Sequence, residues 1–178
     1  MLRNNMNLSS GYGKDRASKP DFGEVYEEYY ERVYKYAYTL LLNKEDAEDV
    51  VADTFMNAFS AYGSYDPSRA SVVTWITRIA HNKAVNLVRS ASYRTRAEMP
   101  DYYDAPDTSE SMLSASEDRD TVLYLYSKLS PGEREFLNLR YTMDMKDSEI
   151  AELLGIQSKS VNKRYQRLLA KCRDILEN

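Results

Sequence analysis

Apolar residues recur along the chain at intervals of three and four almost everywhere. Phe22, Tyr26, Tyr29, Val33, Tyr36 and Leu40 fall on one stripe of a helix. Asn43 follows as an N-cap, with Glu45 and Asp46 in a first turn where the helix dipole favours acids. Ala47, Val50, Val51, Thr54, Phe55, Ala58 and Phe59 form the next apolar stripe. Gly63, Asp66 and Pro67 turn Tyr62 to Ala70 into a loop. A third helix is predicted from Ser71 to about Val88, with Ile76, Ile79, Ala80 and Leu87 facing inward and Trp75 in the core.

The regular pattern stops at Ala97. From there to Asp120 the chain carries Pro100, Pro106, many acids and many serines, and cannot bury enough apolar surface to fold alone. Val122, Leu123, Leu125, Tyr126 and Leu129 restart a helix. Ser130–Pro131–Gly132–Glu133 is a helix start: Ser130 caps, Pro131 suits the first helical position, and Glu133 completes a capping box. Two further helices flank Gly155, and no strand pattern is present. The expected fold is all-α: a disordered tail over residues 1–20, a helical domain over 21–96, an acidic linker over 97–120 and a second small helical domain over 121–178.

Charge changes this picture from scaffold to function. The net charge of −4 hides segregation. Asp21 to Asp66 holds eleven acids against Arg32, Lys35 and Lys44, whereas Arg69 to Arg96 holds six bases and no acid. Ala97 to Asp120 holds eight acids against Arg119, and Ser158 to Arg173 again holds six bases and no acid. Alternating blocks of this kind point to a chain that touches nucleic acid in two places. Cys172 is alone, so no internal disulfide forms, and His81 is the only histidine. A His/Cys metal cluster is excluded, no cofactor or metal is expected, and His81 reads as an exposed or DNA-facing residue. No apolar run is long enough to span a bilayer, so a cytoplasmic protein without membrane insertion is expected.

The second domain carries a helix-turn-helix pattern. Ala151 is small where a second helix crosses close, Gly155 supplies a left-handed turn, and Ile150, Leu154, Ile156 and Val161 lock the two helices together. The second helix starts near Ser158, which can cap it, and buries Val161, Tyr165, Leu168 and Leu169. Its outer side carries Lys159, Ser160, Asn162, Lys163, Arg164, Gln166 and Arg167, side chains able to pair with guanine and adenine edges or to hold phosphates.

The run Asp46–Phe59, followed by Thr74–Trp75–Ile76–Thr77–Arg78–Ile79–Ala80–His81–Asn82, resembles domain two of the extracytoplasmic-function sigma factors, subunits of bacterial RNA polymerase. Leu129–Glu135 with Ile150–Arg167 resembles their domain four. The resemblance spans roughly Asp21 to Leu176, and it implies a promoter-specificity subunit without enzymatic activity. The second helix would bind the beta-prime clamp helices of core polymerase through Asp49, Ala52, Asp53 and Met56, with Ala52 and Asp53 standing where the family often has glutamine and glutamate. The loop Tyr62–Ala70 would receive a flipped base of the minus-ten element, with Tyr65 and Asn82 taking part. Arg78, Lys83, Asn86, Arg89, Arg94 and Arg96 would line the melted strand. Ser158, Lys159, Ser160, Lys163, Arg164 and Arg167 would meet the minus-thirty-five element. The beta flap, promoter DNA and an anti-sigma protein are the other partners implied. The family's serine or threonine before the first helix of the motif is replaced by Lys146–Asp147, so Asp147 is expected to cap.

Two rival classes share some of these features. A stand-alone regulator of LuxR type has the Glu–Arg–Glu and Glu–Ile–Ala patterns but does not account for Asp46–Phe59 or Trp75–Asn82. A nucleic-acid hydrolase would use Asp49 and Asp53 as a metal pair, but the chain has neither a phosphate-cradling glycine loop nor a histidine cluster.

Overall fold

Local capping sets the first helices. In the computed structural model, which describes residues 19–90 and 117–177, Asp21 accepts the Gly23 N–H at 2.7 Å while Glu24 reaches back to the Asp21 N–H at 3.3 Å. This capping box opens α1 (Phe22–Leu41). Leu42 closes it in the left-handed region at φ 54°, donating its N–H to the Tyr38 carbonyl. Asn43 then accepts the Asp46 N–H at 2.9 Å and starts α2 (Lys44–Ala61), as its sequence position predicts. A short 3-10 turn over Tyr62–Ser64 leads into the loop, and Ser71 caps α3 (Val72–Arg89) through the Thr74 N–H.

The second group holds α4 (Glu117–Ser127), α5 (Pro131–Tyr141), α6 (Asp147–Leu154) and α7 (Ser158–Glu177). The described residues are thus all-α, with seven α-helices and no strand. Helix α4 begins at Glu117, five residues before Val122, where the apolar pattern resumes. The tail up to residue 18 and linker residues 97–116, like Arg94 and Arg96, lie outside the described residues. Glu133 accepts the Ser130 N–H at 2.9 Å and holds the start of α5. Gly155 closes α6 at φ 64°, the left-handed conformation that a side chain would oppose by about 1 kcal/mol.

Helices α1, α2 and α3 pack on one another, and Val33, Tyr36, Ala37, Leu40, Ala47, Val50 and Ile76 are fully or nearly fully buried between them. In the second group Leu139, Met143, Ile150 and Val161 are completely buried. The two sets join into one continuous cluster because α1 lies against α5. Polar bonds also cross the junction. The Thr39 hydroxyl donates to Asn138 Oδ1 at 3.0 Å, Arg134 reaches the Leu40 carbonyl at 3.1 Å, and Arg32 reaches the Thr142 carbonyl at 3.1 Å. Tyr36, completely buried, donates to Glu135 at 3.2 Å, and its phenol is pushed well above its ordinary range by burial and by that carboxylate.

Four sequence-based expectations are corrected here. Phe59 is 68% exposed, not part of the buried stripe: it follows the buried Ala58, and successive helical residues point about 100° apart. His81 is neither exposed nor DNA-facing, because its Nδ1 lies 2.5 Å from Glu135 Oε1 in the junction. Asp147 is the first residue of α6 rather than its cap; Lys146 holds the cap position, its N–H bound by Glu149 at 2.8 Å, and Asp147 pairs with Arg140. Ser158 is likewise inside α7, which leaves Gln157 just before the helix.

Candidate nucleic-acid interface

The loop before α3 is built by its own side chains. Tyr65 is buried, donates its hydroxyl to the Ala70 carbonyl at 2.9 Å, stacks on Tyr62 and packs against Trp75 with ring centroids 4.8 Å apart. Asp66 accepts from the Ser68 N–H and hydroxyl at 2.9 and 2.7 Å, and these bonds hold its carboxyl below the usual range. Trp75 is partly buried and forms the floor between loop and helix. Tyr65 therefore supports the loop from inside, and with Trp75 it bounds the space in front of it.

Beyond the loop, α3 presents one polar stripe. Arg78, Asn82, Asn86 and Arg89 are all exposed, at spacings of four, four and three that bring them to one face. Lys83 sits beside the stripe, half-buried, with its ammonium 2.9 Å from Asp53 of α2. The structure therefore joins two predicted sites: Asp53 neutralises a base of the neighbouring helix. Asp49, Ala52, Asp53 and Met56 are exposed together on α2, with Met56 at 68%. Phe59 extends this face by one turn and packs edge-on against Phe22 at 5.2 Å. Sequence reading missed it, although its i+3 spacing from Met56 would have marked it.

A cavity of about 320 Å³ lies between the loop and α3, lined by Tyr65, Asp66, Arg69, Trp75 and Arg78. Its remaining wall comes from α6: Glu152 Oε1 is 2.7 Å from Arg78, and Glu149 accepts a hydrogen bond from Thr74.

In the helix-turn-helix, α7 buries Val161, Tyr165, Leu168 and Cys172, and the Tyr165 hydroxyl donates to the Phe136 carbonyl at 2.7 Å. Leu169 is only half-buried. Ser158, Lys159, Asn162, Lys163, Arg164, Gln166 and Arg167 are exposed, and Ser160 is half-exposed. Arg164 and Arg167 also rim a groove of about 640 Å³ floored by Phe136, Leu154, Ile156 and Leu168. Of the predicted outer face, Lys159, Ser160 and Lys163 therefore stand nearest the start of α7, and the two arginines stand at its boundary with α5. Among the described residues no cluster of His, Cys, Asp or Glu is arranged to hold a metal ion, and no helix is long and apolar enough to cross a membrane.

Comparison with protein families decides between the readings. Residues 25–94 match the model of Sigma-70 region 2, and residues 119–172 match that of Sigma-70, region 4. The chain belongs to the sigma-70 family, extracytoplasmic-function type. The region 2 match takes in the α2 face and the α3 stripe, and the region 4 match takes in the helix-turn-helix. The ECF RNA polymerase sigma factor BldN of Streptomyces coelicolor is 27% identical over 156 residues, which is 84% of this chain and 59% of that protein. The chain thus spans about three fifths of that relative's length. Among solved structures, CnrH in complex with the cytosolic domain of CnrY aligns with a TM-score of 0.63 and 28% identity, covering 88% of this chain and 87% of CnrH. The sigma factor RpoE of Bartonella quintana, solved with the anti-sigma factor NepR, has the same fold, with a TM-score of 0.71 at 18% identity over 88% of this chain and 97% of RpoE.

Proposed function

We propose that this chain is an RNA polymerase sigma factor that binds core polymerase and directs initiation at particular promoters, acting in the cytoplasm and without enzymatic activity of its own. One observation carries the reading. Helices α3 and α7 each carry an exposed polar stripe with no acid of its own, Arg78–Asn82–Asn86–Arg89 in region 2 and Lys159–Lys163–Arg164–Arg167 in region 4. Two such faces in one chain suit two separated DNA elements, minus ten and minus thirty-five, better than one operator.

The roles divide accordingly. Asp49, Ala52, Asp53 and Met56 meet the beta-prime clamp helices, with Phe59 widening the apolar part of that contact. Asn82, Lys83, Asn86 and Arg89 line the melted strand; Arg78 and the loop around Tyr65 flank the flipped base. Lys159, Ser160 and Lys163 read base edges, and Arg164 and Arg167 grip phosphate, with Ser158 at the helix start. The beta flap is the partner of region 4 on the polymerase. The Bartonella sigma factor was solved with an anti-sigma factor, which supports a partner of that kind here; a stress or envelope regulon is assigned from the family resemblance alone.

Run-off transcription with core polymerase on genomic fragments tests the whole reading. The expected result is discrete transcripts that appear only when the chain is added and whose start sites share two sequence elements. Transcription that does not depend on the chain would sink it.

A further inference from the structure

We propose that Lys19, in the segment ahead of α1, is a further DNA contact of the minus-ten surface and holds a backbone phosphate of the strand beside the loop. The inference rests on the reading of α3 and its preceding loop as that surface. Two bonds running in opposite directions clip the segment to Tyr62, the first residue of the loop. The Lys19 ammonium donates to the Tyr62 carbonyl, and the Tyr62 hydroxyl donates to the Pro20 carbonyl. The ammonium also lies 4.2 Å from the centroid of the Tyr62 ring and 5.8 Å from that of Tyr65. Tyr62 in turn packs against Phe22 at 5.1 Å and against Trp75 at 5.8 Å. The chain ahead of α1 is thus seated on the aromatic row whose members Tyr65 and Trp75 line the cavity.

The charge of Lys19 gives this seat a use. A carbonyl and two ring faces position an ammonium without cancelling it, unlike the carboxylates that pair with Arg78 and Lys83. The acids at the start of α1 are taken up by its capping box, where Asp21 accepts from Gly23 and Glu24 accepts from Asp21. An ammonium has three donors and one is spent on Tyr62, which leaves two for an oxyanion. Pro20 keeps Lys19 out of the helical region, so its backbone is set before a ligand arrives. The side chain is half-exposed and within reach of one. The residues leading to it are basic as well: Lys14 and Arg16 precede it, and Asp15 is the single acid among residues 1–19. A lysine so placed takes phosphate as a point charge, which fixes the register of a strand without reading its sequence.

The test measures open-complex formation by the holoenzyme, core polymerase with the full chain, on a promoter fragment recovered by run-off transcription, over a range of salt. K19Q removes the charge and keeps a donor for the Tyr62 carbonyl, and K19R keeps the charge. K35Q removes a charge about 20 Å further along α1, where Lys35 pairs with Glu31. The expected result is that K19Q weakens open-complex formation roughly threefold to tenfold and lowers the salt slope by about one unit, while K19R and K35Q follow the parent. A parental salt slope for K19Q overturns the proposal even if affinity falls, because a lysine that only supports the loop would leave the number of phosphate contacts unchanged. So does a loss of affinity for core polymerase, titrated separately, that accounts for the whole fall. N82A and R89A separate the two levels. If they transcribe like the parent, the minus-ten reading fails. If they lose transcription while K19Q keeps the parental slope, only the role of Lys19 fails.

Discussion

Glu135 and His81 are 54 positions apart in sequence, yet the carboxylate Oε1 lies 2.5 Å from the imidazole Nδ1, joining α5 to α3. The same oxygen accepts the Tyr36 hydroxyl at 3.2 Å, so one carboxylate ties three helices together. Its side chain is 12% exposed and that of His81 is 16% exposed, so water replaces these bonds poorly. Glu135→Ala would strand two polar groups and is expected to lower stability by about 2–3 kcal/mol. Glu135→Gln keeps one acceptor oxygen and is expected to lose about half as much. Urea unfolding followed by circular dichroism measures both; an alanine variant as stable as the parent would show that the junction adds nothing.

Binding to core polymerase is assigned to the exposed α2 face. Reversing Asp49 and Asp53 to lysine is expected to weaken core binding by roughly tenfold or more through misplaced charge, with helical circular dichroism unchanged. The variant also sets a like charge against Lys83, now 2.9 Å from Asp53, so an Asp49→Lys single variant separates the polymerase contact from that local repulsion. Affinity titration with core polymerase decides; equal affinity for the single variant and the parent would remove the assignment.

On α7, alanine at Lys159, Ser160 or Lys163 is expected to cost ~1–3 kcal/mol at a base-reading position and to relax preference at one base pair of the minus-thirty-five element. Alanine at Arg164 or Arg167 is expected to weaken all sequences alike and to lower the salt slope by about one unit. Run-off transcription from promoters varied at each minus-thirty-five base reads both effects. If every one of these variants transcribes like the parent, the exposed basic face is only solvated surface.

Glu133 gives a pH signature. Lys171, 2.8 Å away, and the Ser130 N–H and hydroxyl hold its carboxyl below its ordinary value of 4.5. The folded state therefore binds this proton less tightly than the unfolded chain does. The stabilisation is complete above the unfolded value and fades as pH falls through the lower folded value. A Glu133→Gln variant should melt below the parent at neutral pH, and the two melting curves should converge in acid. A gap that stays constant from neutral pH into the acid range would show that the charge is not the source.

Sequence alone made legible what is decided locally. The Asn43 cap, the Ser130–Glu133 capping box, the Gly155 turn and the buried face of α7 at Val161, Tyr165 and Leu168 all follow from residues within one or two turns of each other. That Arg78, Asn82, Asn86 and Arg89 share one face of α3, and Lys159 and Lys163 one of α7, was legible for the same reason, because helical spacing decides it. What stayed hidden is long-range. Thr39 meets Asn138 across 99 positions, and Arg78 meets Glu152 across 74, and nothing in either local pattern announces the partner. His81 on its own looks like a surface residue; only the approach of α5 makes it part of the interior. Phe59 failed in the other direction, because an aromatic beside a buried alanine looks like core until the edge of the bundle is known.

The junction between α1 and α5 carries hydroxyls, an amide and a carboxylate beside its apolar side chains. Asn138 Oδ1 alone receives the hydroxyls of Thr39, Tyr126 and Thr142, at 3.0, 3.1 and 3.1 Å. Apolar side chains can slide past one another, whereas these bonds are directional, so they fix which turn of α1 faces which turn of α5.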